Sequence, residues 1–351
     1  DREAIDAGAR IGPRYFSTGE AIDGSRIFYN FMRPVTEPGQ MQLELARAKA
    51  LSSDLIKAYV RLPLAAQRDV TAWAHANGMH VTSHYHYPAL AFGLDGMEHM
   101  GATSRFGYSR TVSALGASYQ DVTALFAASG ARRTPTLFQS SALYGTDRSL
   151  VDDPRTRALY PPWEYDRLKE RAAQAAASDN KVALAALARN VAHLKAILAG
   201  GGRVVTGTDS PIDFNGISLH MNLRGMVRYG MTPYEALTTA TRYSGEYLEQ
   251  PLGVIAKGML ADLVVTDGDP LTRIEDAAAV RHTVKNGEVF DIPGLLAPFQ
   301  NLAQASVAPR RGRTPKAGFW WHEASYVAAS RAACCMDPAC QTIGGFYATE
   351  V

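Results

Sequence analysis

Cysteine is nearly absent from this 351-residue chain: Cys334, Cys335 and Cys340 are the only ones, and all lie in the last eighteen positions. A disulfide framework and a cysteine-based zinc finger are therefore excluded from the body of the chain. The three thiols read either as a bridge within the tail or as solvent-near groups. An excess of one charge is missing too, since 36 Lys and Arg face 34 Asp and Glu for a net +2, with no basic stripe to track a phosphate backbone. Nucleic acid is not an expected partner. No apolar stretch approaches the ~20 residues that cross a bilayer, and the opening residues lack the charged start and apolar core of a signal peptide. A soluble chain without a membrane partner is expected, its compartment open. Internal repeats and low-complexity tracts are absent, and there is no histidine before His75.

What is present is a 46% hydrophobic content, ample for one large core and a small appendage. Strand-like runs alternate with helical ones, the pattern of βα units on a parallel sheet. Strands are expected at residues 13–17, 54–60, 80–83, 96–99, 134–137 and 204–206. A helix over residues 63–77 carries Leu64, Val70 and Trp73 on one side and stops at Gly78. Residues 140–162 read as an insertion, followed by an Ala-rich helical stretch over residues 163–198 without Pro or Gly, which could cover a barrel mouth. Thr232, Pro233 and Glu235 combine an N-cap hydroxyl, a first-turn proline and a Glu three residues on, so a helix should run from there to about Leu248. Short strands at residues 258–265, 280–284 and 287–291, with turns at Asp267-Gly268 and Asn286-Gly287, form a small β appendage. Residues 309–316 read as a basic linker.

Four polar residues end four of the apolar strands: Lys57 in Asp54-Leu55-Ile56-Lys57, His84 after Val81-Thr82-Ser83, His99 after Gly96-Met97-Glu98, and Asp209 after Thr206-Gly207-Thr208. Active groups of a (β/α)8 barrel gather at the carboxyl ends of its strands. Two neutral imidazoles suit Zn²⁺ or a similar divalent metal. Lys57, flanked by Ile56 and Ala58, needs a compensating partner, carboxylation to a carbamate, or a path to solvent. Asp209 can bind metal weakly while serving as general base and then acid, or can form an Asx turn ahead of Pro211. Substrate-lining candidates are Tyr59, Arg61, which could clamp a carboxylate, His86, two residues beyond His84, and His220 in the loop after Asp209. His75, His80, His193, His282 and His322 read as structural or exposed.

The segments 54–63, 81–84, 95–99 and 207–211, in this order, resemble the amidohydrolase superfamily, closest to its prolidase-like and imidazolonepropionase-like branch and to large bacterial forms with an amino-terminal β-propeller. The resemblance extends over roughly residues 10–291. It implies an α/β fold, a (β/α)8 TIM barrel over residues 1–250 with a small β-sandwich portion over 251–295, leaving 296–351 as a tail without counterpart. It further implies Lys57 as a carboxylated bridging ligand, His84 and His99 as ligands of the more exposed of two metals, Asp209 as catalytic carboxylate, and Zn as cofactor. The expected reaction is cleavage of an amide-type C–N bond in a dipeptide or N-acyl amino acid by metal-activated water. A cyclic amide, lactone or ester, or an inactive binding module, is the alternative. One departure stands out: the His-x-His pair that such proteins carry on their first strand has no counterpart here, because His84-Tyr85-His86 follows the lysine. Counting strands from the third, the first two are expected from a preceding segment or a cleaved companion chain, and a homo-oligomer is compatible with the pattern.

Overall fold

Seven short strands, every neighbouring pair parallel, lie between Ile22 and Val204: β1 Ile22–Asp23, β2 Arg33–Pro34, β3 Leu55–Ala58, β4 His80–Ser83, β5 Gly96–Glu98, β6 Arg132–Thr134 and β7 Arg203–Val204. Their order is β2-β1-β3-β4-β5-β6-β7. They come from a computed structural model that describes residues 2–29, 31–84, 89–100 and 120–299. His86, the basic linker and the three cysteines lie outside the described residues.

The chain divides into two compact units. Among the described residues, one contains the chain up to Thr134 together with Ala196–Val204, and so holds all seven parallel strands; the other contains Pro135–Lys195 and residues 205–299. In the first unit, alternation along β3 and β4 sorts the side chains. Ile56, Ala58 and Val81 are at most 1% exposed and pack with Leu45, Val70 and Ala74 of the helices Pro38–Ala50 and Leu64–Ala76. Each such aliphatic side chain removed from water contributes about 1.5–3 kcal/mol. Lys57 and Thr82, paired in register, project from the other face.

The second unit carries a three-stranded antiparallel sheet, β8 Leu263–Thr266, β9 Val280–Lys285 and β10 Glu288–Asp291, in the order β10-β9-β8. Asn286 and Gly287 join the β9–β10 hairpin with φ of 52° and 83°, the two positive values that a tight primed turn requires.

Five expectations are corrected by the structure. Residues 13–17 form no strand, because the Ser17 N–H is taken by the Asp54 carboxylate at 2.7 Å rather than by a neighbouring backbone; the first strand is β1. The expected strand at 134–137 lies at 132–134, since Pro135 has no N–H for the ladder. The Ala-rich stretch is two helices, Pro162–Ala177 and Lys181–Ala199, broken where the Asn180 amide donates to the Ala175 carbonyl at 2.6 Å. The helix after Thr232 likewise splits into Pro233–Ala240 and Arg242–Leu248 about Thr241. Of these, Lys181–Ala199 is long and apolar enough to span a bilayer by length and composition alone, contrary to the expectation that no stretch would be. Its Leu187, Val191, Leu194 and Ile197 are wholly buried within the protein, one apolar stripe of a helix of which 33% is buried.

Candidate active site

On the face of the parallel sheet opposite those two helices, Lys57 from β3, Thr82 from β4 and Glu98 from β5 meet in one polar cluster. Glu98 Oε2 pairs with the Lys57 ammonium and Oε1 accepts from the Thr82 hydroxyl. Lys57 is 13% exposed and Glu98 19%, so the cation is compensated inside the protein and does not reach for solvent. Glu98 was not among the residues singled out from the sequence. Its signal was parity: it lies two residues past Gly96, which pairs with Thr82, and hence on the same face as Thr82 and Lys57.

His84 follows directly on β4 and is 4% exposed, with the edge of the buried Tyr59 ring against it at a centroid distance of 4.6 Å. His99 follows β5, and its ring centroid lies 4.6 Å from that of His84. Strict alternation would send His99 to the face opposite Glu98, but its φ of 64° breaks the pleat, and its N–H donates to the Thr134 carbonyl at 2.7 Å. Burial, reinforced by the Lys57 ammonium, pushes the His84 pKa far down and that of His99 down to about 3. Both imidazoles are neutral at physiological pH. The His84 Nδ1 and Nε2 are buried without a hydrogen-bond partner, Nδ1 standing 4.0 Å from Glu98 Oε2. An orphaned neutral imidazole beside a second one is a lone-pair donor set without an acceptor.

The sequence profile of the amidohydrolase family matches residues 35–290, most of the chain. The chain belongs to the amidohydrolase family. Its reaction class is hydrolysis of amide-type C–N bonds. Solved structures share the fold. Bottromycin amidohydrolase superposes with a TM-score of 0.62 at 19% identity, over 87% of this chain and 70% of its own. A Xaa-Pro dipeptidase with methionine bound in its active site gives 0.57 at 21%, over 83% and 71%. Ochratoxinase from A. niger gives 0.56 at 17%, over 83% and 69%. Comparison with curated proteins finds no match.

Amidohydrolases generally use divalent metals. In this amidohydrolase, no three His, Cys, Asp or Glu side chains among the described residues converge as a cage. The donor chemistry nevertheless fits a divalent cation, because His84 and His99 are neutral, adjacent and, for His84, unsatisfied. The remaining predicted residues are placed as follows. Tyr59 is 6% exposed and packs on His84 and Phe28. Arg61 donates to the Ile27 carbonyl at 2.6 Å and lies over the Phe28 ring at 4.8 Å, so its guanidinium secures the segment after β1. Asp209 belongs to the second unit, half-buried, with a left-handed φ of 56° and its carbonyl accepting from Ile212 at 3.0 Å. His220 stands on the helix Ile217–Arg228 rather than in a loop, its pKa lowered to about 4 by burial and by Arg224 and Arg155. His75 and His80 both turn to Asp95, at 2.9 and 3.1 Å.

Proposed function

We propose that this amidohydrolase cleaves the amide bond of a dipeptide or N-acyl amino acid, with a divalent cation held by His84, His99 and Lys57. The observation that carries the reading is the buried, unpartnered imidazole of His84 beside His99 at the ends of adjacent parallel strands. A nitrogen-rich donor set favours zinc among the common divalent ions. Such a cation, when bound, supplies Lewis-acid polarisation of the scissile carbonyl and of the attacking water. Lys57 serves as ligand in carboxylated form. Carboxylation turns the cation that Glu98 neutralises into an anionic oxygen donor, so the Lys57–Glu98 pair and the carbamate are mutually exclusive states.

The chain's own groups divide the remaining work. Tyr59, packed edge-on to His84, fixes the imidazole plane. Asp209 takes a proton from water and passes it to the leaving amine. His86 and His220 are proposed to line the substrate pocket. The substrate class draws on the names of structural relatives, a Xaa-Pro dipeptidase and bottromycin amidohydrolase, both acting on amide-type bonds.

Turnover of a dipeptide and N-acyl amino acid panel, read beside metal content by plasma mass spectrometry, tests the reading. Asp209→Asn should lower kcat about 10²–10⁴-fold, the usual worth of a general acid–base group, with the far-ultraviolet spectrum unchanged. Turnover untouched by Asp209→Asn would remove that residue from the chemistry. No metal after purification without chelator and resupply with zinc and bicarbonate would remove the metal.

A further inference from the structure

Arg133, on β6, is the bulkiest completely buried side chain among the described residues, at 0% exposure. It points to the side of the sheet away from Lys57 and Glu98, paired in register with Met97. Its Nη1 lies 3.1 Å from Met97 Sδ, its Nη2 donates to the Met100 carbonyl, and its guanidinium lies over the Phe126 ring at 4.9 Å. Among the described residues no carboxylate forms an ion pair with it, and its Nε has no acceptor. A buried guanidinium held by a carbonyl and a thioether is costly to keep.

Its contacts fall on Met97 and Met100, the two residues that bracket Glu98 and His99. The next residue on β6, Thr134, accepts the His99 N–H at 2.7 Å. One dipeptide, Arg133-Thr134, therefore holds the backbone before, at and after His99. That backbone is in the left-handed region, with φ of 64°, a conformation that costs a non-glycine residue about 1 kcal/mol or more and persists only where its surroundings over-determine it. The same turn brings the His99 ring alongside His84.

We propose that Arg133 is a positioning residue for His99: by binding the Met100 carbonyl it holds the left-handed turn that sets the imidazole beside His84. The inference rests on the reading of His84 and His99 as metal ligands. Arg133 touches neither metal nor substrate; it acts through the backbone, as groups behind a ligand do.

The test is a double-mutant cycle on the full chain, with the Zn²⁺ dissociation constant read by competition with a chromophoric chelator. Arg133→Met keeps the volume and removes the donors; it should weaken zinc binding about 10–100-fold, the usual cost of losing a group that orients a ligand. In a His99→Ala background the same change should add less than about twofold, because the group it orients is gone. A loss in the His99→Ala background equal to that in wild type would overturn the proposal, showing a general effect on the fold. So would an unchanged zinc constant in Arg133→Met when His99→Ala weakens it tenfold or more. If His99→Ala itself binds zinc as wild type does, the ligand reading fails and takes the proposal with it. Should Arg133→Met not fold, Arg133→Lys carries the same cycle: it keeps the buried charge but cannot reproduce the guanidinium fork, and a smaller loss, again confined to chains that retain His99, is expected.

Discussion

At the scale of single residues, Asp213 shows how burial sets a charge against the fold. It is 8% exposed, accepts from the Phe214 N–H at 2.9 Å, and lies near Ser218 and Arg171; burial outweighs these groups and raises its pKa from 3.8 to about 6. The folded value lies above the unfolded one, so the native state binds the extra proton between them. The associated stability is present below 3.8 and is lost as the pH rises through about 6. Asp213→Asn keeps the shape and the acceptor for Phe214 without the ionisation. Its advantage over wild type should grow by roughly 1–2 kcal/mol between pH 5 and pH 8, read from urea unfolding at the two values. A difference that does not change with pH would mean that Asp213 ionises as freely in the fold as outside it. Legibility at this scale was uneven. Lys57, His84 and His99 could be picked out because each ends an apolar run. Glu98 could not, because a carboxylate beside a strand-end histidine looks like any edge residue until the register places it two positions beyond the partner of Thr82. Nor does the sequence announce that Arg133, a strand residue like the neighbouring Arg132, is the buried one.

At the scale of elements, boundaries were readable where a helix stop or a capping box fixed them, and missed at Pro135, which ends β6. Residues 80–83 were expected and found as β4, directly after the helix stop at Gly78. The start of Pro233–Ala240 followed from its capping box, in which Thr232 Oγ1 accepts from the Glu235 N–H at 3.1 Å and the Glu235 carboxylate accepts from the Thr232 N–H at 2.7 Å. Thr232→Ala should cost about 1 kcal/mol in chemical denaturation. The break at Thr241 was hidden because its cause lies outside the helix. Gly253 has a φ of 86°, and a Cβ there would meet the Thr241 carbonyl oxygen at 2.3 Å, so the returning chain occupies the place where a continuous helix would need room. Gly253→Ala combines that clash with a left-handed backbone and should cost about 3 kcal/mol or more, well beyond the cap. A loss no larger than that of Thr232→Ala would show that the helix pair yields to the added methyl group.

At the scale of the whole molecule, the alternation of apolar runs revealed an α/β protein with a parallel sheet and a small antiparallel one. It did not reveal β1 and β2, because two-residue strands carry no period, and Ile22–Asp23 is recognisable only through its pairing with Arg33–Pro34 and Ala58. What ties such short strands to function is the cost of leaving His84 unsatisfied. A buried polar group without a partner destabilises its fold by about 1–3 kcal/mol, and a cation that satisfies it returns that free energy to the native state alone. Zinc at a hundredfold excess over its dissociation constant should stabilise the protein by about 2.7 kcal/mol. For a chain of this size that is a rise in melting temperature of roughly 3–5 °C, reversed by chelator. The shift should vanish in His84→Ala/His99→Ala, whose own melting temperature should not depend on added metal. A shift that survives the double variant would place the stabilising ion elsewhere in the chain and leave the pair of imidazoles as packing.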